Sequence, residues 1–370
     1  MLSRVAENIY WLSRYVERAE NTARLVRVNS ILVLDTPRGI TPGWEPLVDI
    51  TGLLNEFRSV EREPNERNVV RFLIGDANNP GSILSSLAAA RENCRTVREV
   101  LPRSSWEKLN ELYIYAKEHV QTGLTKSGRD GFLNQIIAGS QQFTGLLASV
   151  MYRDAAWQFA RLGRNLERAD MTTRIIDVRS TDLFSDDLLE SRSLDTLQWI
   201  SVLRSLSGYQ SYRRHVAIRV SRPDVLTFLF HDSVFPRSVL HCINAVDEGL
   251  GELENTGVAM SSVHGLQRKL RLVDSPYRTP QSYVGGPRSD AALMAAGGVI
   301  AATDAAMAGE FSGRHPMMVV SGRAALTTPA MPATRARLAV PAHSGGSCNP
   351  SRRRRIPRPT DWNSALLVCQ

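Results

Sequence analysis

Two segments of the sequence carry the same ionisable side chains at the same spacing. Residues 12–28 read LSRYVERAENTARLVRV, and residues 162–178 read LGRNLERADMTTRIIDV. At a fixed offset of 150, eight of seventeen positions are identical: Leu12/Leu162, Arg14/Arg164, Glu17/Glu167, Arg18/Arg168, Ala19/Ala169, Thr22/Thr172, Arg24/Arg174 and Val28/Val178. Glu20 and Asp170 form a conservative pair. Chance gives about one identity, so an internally duplicated Arg-x-x-Glu-Arg-Ala element is expected. The chemistry open to it is that of the guanidinium fork, which grips a carboxylate or a phosphate through parallel hydrogen bonds.

A helix must position these groups. At about 100° per residue, Leu12, Val16, Ala19 and Ala23 share one face, and Arg14, Glu17, Arg18 and Asn21 lie opposite. Spacings of three and four let Arg14 pair with Glu17, let Glu17 pair with Asn21, and let Arg14 and Arg18 share a partner. The second copy repeats this with Arg164, Glu167 and Arg168. The candidate polar network or ligand face is therefore Arg14, Glu17, Arg18, Asn21, Arg24, Arg164, Glu167, Arg168, Asp170 and Arg174. Three readings stay open. The ion pairs stitch two helices together in a semi-buried layer flanked by Tyr10, Trp11 and Tyr15; or the paired guanidinium groups hold an anionic ligand; or the face meets a partner protein. A pocket lined by Arg14, Arg18, Arg164 and Arg168 would favour the second.

The remaining elements are helical too. Leu2, Val5, Ile9, Leu12, Val16, Ala19, Ala23 and Val26 recur at steps of three and four, which predicts one long helix over the first 33 residues. Pro37, Gly39, Pro42, Gly43 and Pro46 mark a loop. Helices are expected near 47–58, 66–74, 82–100, 104–120, 131–150, 154–180, 194–219, 223–230 and 236–256. Ser82 is placed as an N-cap, Ser104 and Glu107 have capping-box spacing, and Pro223 and Pro236 are placed in first turns. Gly123 to Arg129 reads as a polar turn. No alternating strand is found, so the fold class is all-α, a multi-helix bundle.

After Leu272 the composition changes to Ala, Gly, Pro, Ser, Thr and Arg. The domain is set at 1–272, and residues 273–370 are read as a low-complexity, disordered basic tail. The formal charge of +8 follows the same division: residues 276–370 hold 11 Arg against 4 acidic groups, and the rest of the chain is near neutral at +1. A nucleic-acid partner is therefore not expected from the isoelectric point. The Arg352–Arg355 run could meet nucleic acid or acidic lipid, but solvated disorder is the plainer reading.

Cys94, Cys242, Cys348 and Cys369 form no CxxC pair, a pattern that fits reduced cytosolic thiols. Charges at Arg4, Glu7, Arg14, Glu17 and Arg18 argue against a signal peptide. The longest uncharged run, Gly131–Tyr152, is too polar for a membrane span. The expected location is cytoplasmic.

Catalytic motifs are not found. GxxxxGK, GxGxxG, GxSxG and HExxH are missing, and no Glu stands three residues before a histidine. No cofactor or metal is expected, and no catalytic residue is assigned. Ser185 to Glu190 (SDDLLE) faintly resembles the aspartates of helical prenyl-transfer enzymes, although a solvated cap cluster is the plainer reading. His231, His241 and Cys242 share a helical neighbourhood, with nothing to orient them as nucleophile and base.

On its motifs the sequence resembles the bacterial alpha-E domain family, an all-helical family named for its Glu-Arg motif. The matching stretches are MLSRVAENIYWLSRYVERAENTARL at the start, ARENCRTVREVLPRSSWEKLN from Ala90, QQFTGLLASVMYRDAAWQFARLGRNLERADMTTRIIDV from Gln141, LQWISVLRSLSGYQSYRR from Leu197 and FPRSVLHCINAVDE from Phe235. The motif carries over as Glu17, Arg18, Glu167 and Arg168. The resemblance implies an association with an ATP-grasp-type ligase and a transglutaminase-like protein in a peptide- or amide-forming system. It also implies one more amphipathic helix where the pattern fails near Leu272. The tail is accordingly read as the product of a shifted frame or a misassembled gene. The expected role is a non-catalytic accessory subunit; the alternative is a ligand-binding protein or enzyme using the Arg–Glu face on an anion.

Overall fold

The computed structural model describes residues 1–36, 43–59, 63–180 and 191–255. Among these, the chain forms helices α1 (Ser3–Asp35), α2 (Glu45–Thr51), α3 (Leu54–Ser59), α4 (Glu66–Gly75), α5 (Ile83–Thr96) and α6 (Arg103–Leu124). It continues with α7 (Lys126–Val150), α8 (Ala155–Ser180), α9 (Ser191–Ser205), α10 (Tyr209–His215), α11 (Arg222–His231) and α12 (Val239–Asn255). No strand occurs among the described residues. The tail read as disordered and the SDDLLE run both lie outside them.

Local chemistry sets the helix boundaries. Ser82 caps α5, accepting a hydrogen bond from the Ser85 amide, and Thr125 caps α7 through the Gly128 amide. Asp154 Oδ1 accepts from the Trp157 amide at the start of α8. Ser221 caps α11, whose first turn holds Pro223. Each such cap supplies an acceptor to an otherwise orphaned amide and is worth about 1 kcal/mol.

Several boundaries differ from the sequence reading. Only Thr125 separates α6 from α7, so the turn expected over Gly123–Arg129 shrinks to one residue. The single helix expected over 194–219 breaks into α9 and α10, at Ser207 with a positive φ of 54°. The Ser104–Glu107 capping box does not form. Pro102 takes the cap position, and Glu107 accepts from Arg103 Nε at 2.9 Å. Pro236 precedes α12 rather than opening it.

The long first helix sits at the centre, packed against α5, α7 and α8. Ile9, Leu12, Val16, Ala19, Ala23 and Val26 are all buried, as the stripe predicts. Its opposite face is buried as well: Arg14, Glu17, Glu20 and Asn21 are no more than 2% exposed. A helix covered on both faces must find internal partners for its polar stripe, because an unpaired buried charge costs several kcal/mol (~3–5 when one partner is removed). The partner is α8. No helix among the described residues is long and apolar enough to cross a membrane.

Candidate functional site

The duplicated segments lie side by side. Arg14 and Arg18 of α1 reach Glu167 of α8, Arg168 of α8 reaches Glu17 of α1, and Arg179 reaches Asn29. Contacts advance together along both helices, so the two run in the same direction with equivalent positions facing each other. Gly163 permits the approach. A Cβ there would stand 2.2 Å from the Tyr10 carbonyl oxygen, a backbone atom that cannot move aside.

Glu167 is the better-held carboxylate. Arg14 Nε donates to Oε2 at 2.7 Å, Arg18 Nε donates to Oε1 at 2.7 Å, and Arg18 Nη2 donates to Oε2 at 2.9 Å. Burial pushes its carboxyl group up, but Arg18 and Arg14 outweigh burial and hold it down at about 2. Glu17 is held less squarely. Arg168 Nε lies 3.1 Å and Arg237 Nη1 2.7 Å from its Oε1, yet neither of its oxygens receives an aligned hydrogen bond. Burial again opposes ionisation, and Arg168 and Arg237 again prevail, so its pKa is lowered.

The in-helix pairs expected at Arg14–Glu17 and Glu17–Asn21 are replaced by these pairs between helices. Crossing to α8 lets one carboxylate meet two forks at once, which a single helical turn cannot arrange. In-helix pairing persists one turn further on. Arg24 Nη2 lies 2.6 Å from Glu20 Oε1, and Arg174 Nε lies 2.7 Å from Asp170 Oδ1. Arg14 Nη2 is 3.7 Å from Asp170 Oδ2. Every candidate residue thus enters one layer, except that Arg164 forms no ion pair among the described residues.

Arg237, which sequence reasoning missed, closes the layer. It precedes α12 and donates to Asn21 Oδ1 at 2.7 Å and to Glu20 Oε1 at 3.0 Å, besides meeting Glu17. Its only sequence signal is a lone cation in the run FPRSVLHCINAV. Counting it, seven guanidinium groups (14, 18, 24, 164, 168, 174, 237) face four carboxylates (17, 20, 167, 170). Aromatic rings spread part of that positive charge: Arg14 lies over Trp11 at 5.4 Å and Tyr10 at 5.9 Å, and Arg18 lies over Tyr15 at 5.7 Å.

Two of the cysteines fall among the described residues. Cys94 and Cys242 are free and buried, and burial pushes each up to about 12. His241 Nδ1 meets the Ser233 carbonyl at 2.9 Å rather than Cys242, whose Sγ faces the Pro236 carbonyl. Among the described residues, no group of three His, Cys, Asp or Glu side chains could hold a metal ion. Of the four arginines Arg14, Arg18, Arg164 and Arg168, Arg164 lines a crevice, together with Ser13, Val16, Phe143, Thr144, Leu147, Trp157, Ala160 and Arg161.

Parallel helices joined by reciprocal Glu–Arg pairs define an all-helical protein whose signature residues are turned inward. The chain belongs to the Alpha-E family, described as a predicted alpha-helical domain with a conserved ER motif, whose model matches residues 1–286. An uncharacterised protein of Mycobacterium bovis is 21% identical over 292 residues, covering 73% of this chain and 31% of its own length. An isocitrate lyase 2 of the same species is 57% identical over 56 residues, which is 15% of this chain and 7% of that protein. The chain thus spans under a third of each of these relatives. No solved structure matches.

Proposed function

We propose that this chain is a non-catalytic helical accessory subunit that works with an ATP-grasp-type ligase in a peptide- or amide-forming system. A transglutaminase-like protein is a further partner of the same system. The observation that carries this reading is the fate of the Glu-Arg motif. Glu167 is locked between two guanidinium groups and held at about 2, so it moves no proton at neutral pH. Side chains that would have been candidates for acid–base work are spent on joining α1 to α8. That leaves the outer faces of the bundle to meet a partner, and a cytoplasmic place alongside the ligase follows from the same reading. The competing reading, an anion gripped by the whole Arg–Glu face, loses Arg14, Arg18 and Arg168 to carboxylates and survives only at Arg164.

The test is to mix the full chain with an ATP-grasp-type ligase from the same organism. A stable complex on gel filtration is expected, together with ligase-dependent amide formation that the chain increases but does not perform alone. No complex, or turnover by the chain in the absence of ligase, would overturn the reading.

A further inference from the structure

Between Asp195 and Asp224 the chain carries five arginines and a histidine, and no acidic residue. Arg204 is tied to Asp35 at 3.4 Å. Arg213, Arg214, Arg219 and Arg222 are exposed and form no ion pair among the described residues. Asp224, the next acid along the chain, accepts from the Ser221 hydroxyl at 2.6 Å instead. Elsewhere on the surface arginines do meet carboxylates, as at Arg58–Glu45, Arg95–Glu92 and Arg103–Glu107. The stretch from 213 to 222 is therefore a surplus of positive charge that the fold does not use.

Aliphatic side chains stand among these cations. On the turn from α10 to α11, Ile218 is 80% exposed and Val216 44%. On the turn from α11 to α12, Val234 is 81% exposed. Neither turn hangs loose. The Tyr212 hydroxyl donates to the Arg219 carbonyl at 3.1 Å and draws the first turn back onto α10. The Phe228 ring lies 5.8 Å from Tyr212 and stacks on Phe235 at 4.7 Å, so the second turn is anchored to the same aromatic cluster. The backbone is pinned with its aliphatic tips in water.

We propose that this corner of the bundle, residues 213–222 with Val234, docks on an acidic phospholipid surface. The arginines meet the anionic headgroups, and Ile218 and Val234 enter the boundary of the acyl chains. Each cation near an anionic leaflet strengthens binding by about fivefold, and each aliphatic tip gains by leaving water. Single-stranded nucleic acid would call for exposed rings on which bases stack. Here Tyr212 is buried, and Tyr209 is half-buried with Arg204 and Arg213 over it at 5.6 and 5.8 Å. A protein partner would call for a continuous apolar centre, whereas these tips stand singly between charges. The inference goes beyond the ligase partnership and does not depend on it.

The experiment is co-sedimentation of the full chain with phosphatidylcholine vesicles, with and without phosphatidylserine. Binding to the phosphatidylserine vesicles is expected, weakened by salt and at least about tenfold weaker on phosphatidylcholine alone. The double variant Arg213→Gln/Arg214→Gln should lose at least about tenfold, and Ile218→Ser at least about threefold, with thermal midpoints kept because these side chains are exposed. No binding to phosphatidylserine vesicles would overturn the proposal. So would equal binding by the variants, which attachment through residues 352–355 would give. Polyglutamate or duplex DNA bound as tightly as the vesicles, and unaffected by Ile218→Ser, would overturn it in favour of an acidic protein or a nucleic acid.

Discussion

The Arg14 half and the Arg164 half of the duplicated layer share their motif and differ in everything around it. In the first half a guanidinium group is paired, stacked and hydrogen-bonded. In the second it is half-buried, its Nε without a partner among the described residues, and its pKa is pushed down to about 10 by burial. The motif residues are identical, so the difference comes from residues outside it: Tyr10 against Ala160, Trp11 against Arg161, and Arg237 reaching Glu17 from a third segment. Duplication keeps the reciprocal pairs that join the helices and lets one copy drop the contacts that silence its arginine.

Substitutions should follow this asymmetry. Glu167→Gln leaves Arg14 and Arg18 buried without their carboxylate, and a loss of about 3–5 kcal/mol is expected in urea unfolding. Glu17→Gln should cost less, since its contacts are not aligned; an equal or larger loss would contradict the ranking of the two halves.

Acid should act through the same carboxylate. The folded pKa of Glu167 is lowered from 4.5 to about 2, so its contribution is present above the unfolded value and is lost as pH falls through the folded one. That contribution is about 3 kcal/mol. Unfolding midpoints measured at pH 6, 4 and 2.5 should fall in the native chain and fall less in Glu167→Gln.

Gly163→Ala should cost about 1–3 kcal/mol or more, because the new Cβ meets the Tyr10 backbone oxygen. Ser13→Ala, at the equivalent position beside the crevice, should stay below about 1 kcal/mol by thermal melting.

The smallest effect should come from Arg164. Arg14→Gln removes charged hydrogen bonds worth about 1.5–3 kcal/mol. Arg164→Gln removes none and should fall within about 0.5 kcal/mol, or stabilise. Equal losses at Arg14 and Arg164 would show that Arg164 is paired after all.

Most of the helices were legible because the 3.6-residue repeat of apolar side chains needs only neighbouring residues to be seen. The break at Ser207 was not, since Ser207-Gly208 lies inside an otherwise continuous pattern, and its αL turn is supported from outside by Arg24, which bonds the Ser207 hydroxyl. The one-residue junction at Thr125 was overlooked because the threonine cap lets two long helices meet without a loop. Within the candidate site, the ten residues were found from the repeat, while Arg237 was not. It stands 70 residues beyond Glu167 and belongs to neither copy.

The sequence alone settled that this is an all-helical chain with a duplicated Glu-Arg element, because periodicity and internal repetition are properties of the linear order. Which guanidinium group meets which carboxylate was decided only by the tertiary structure. Ion-pair strength depends on separation and on the exclusion of water, and residues about 150 apart acquire both only when α1 and α8 pack with Gly163 against Tyr10.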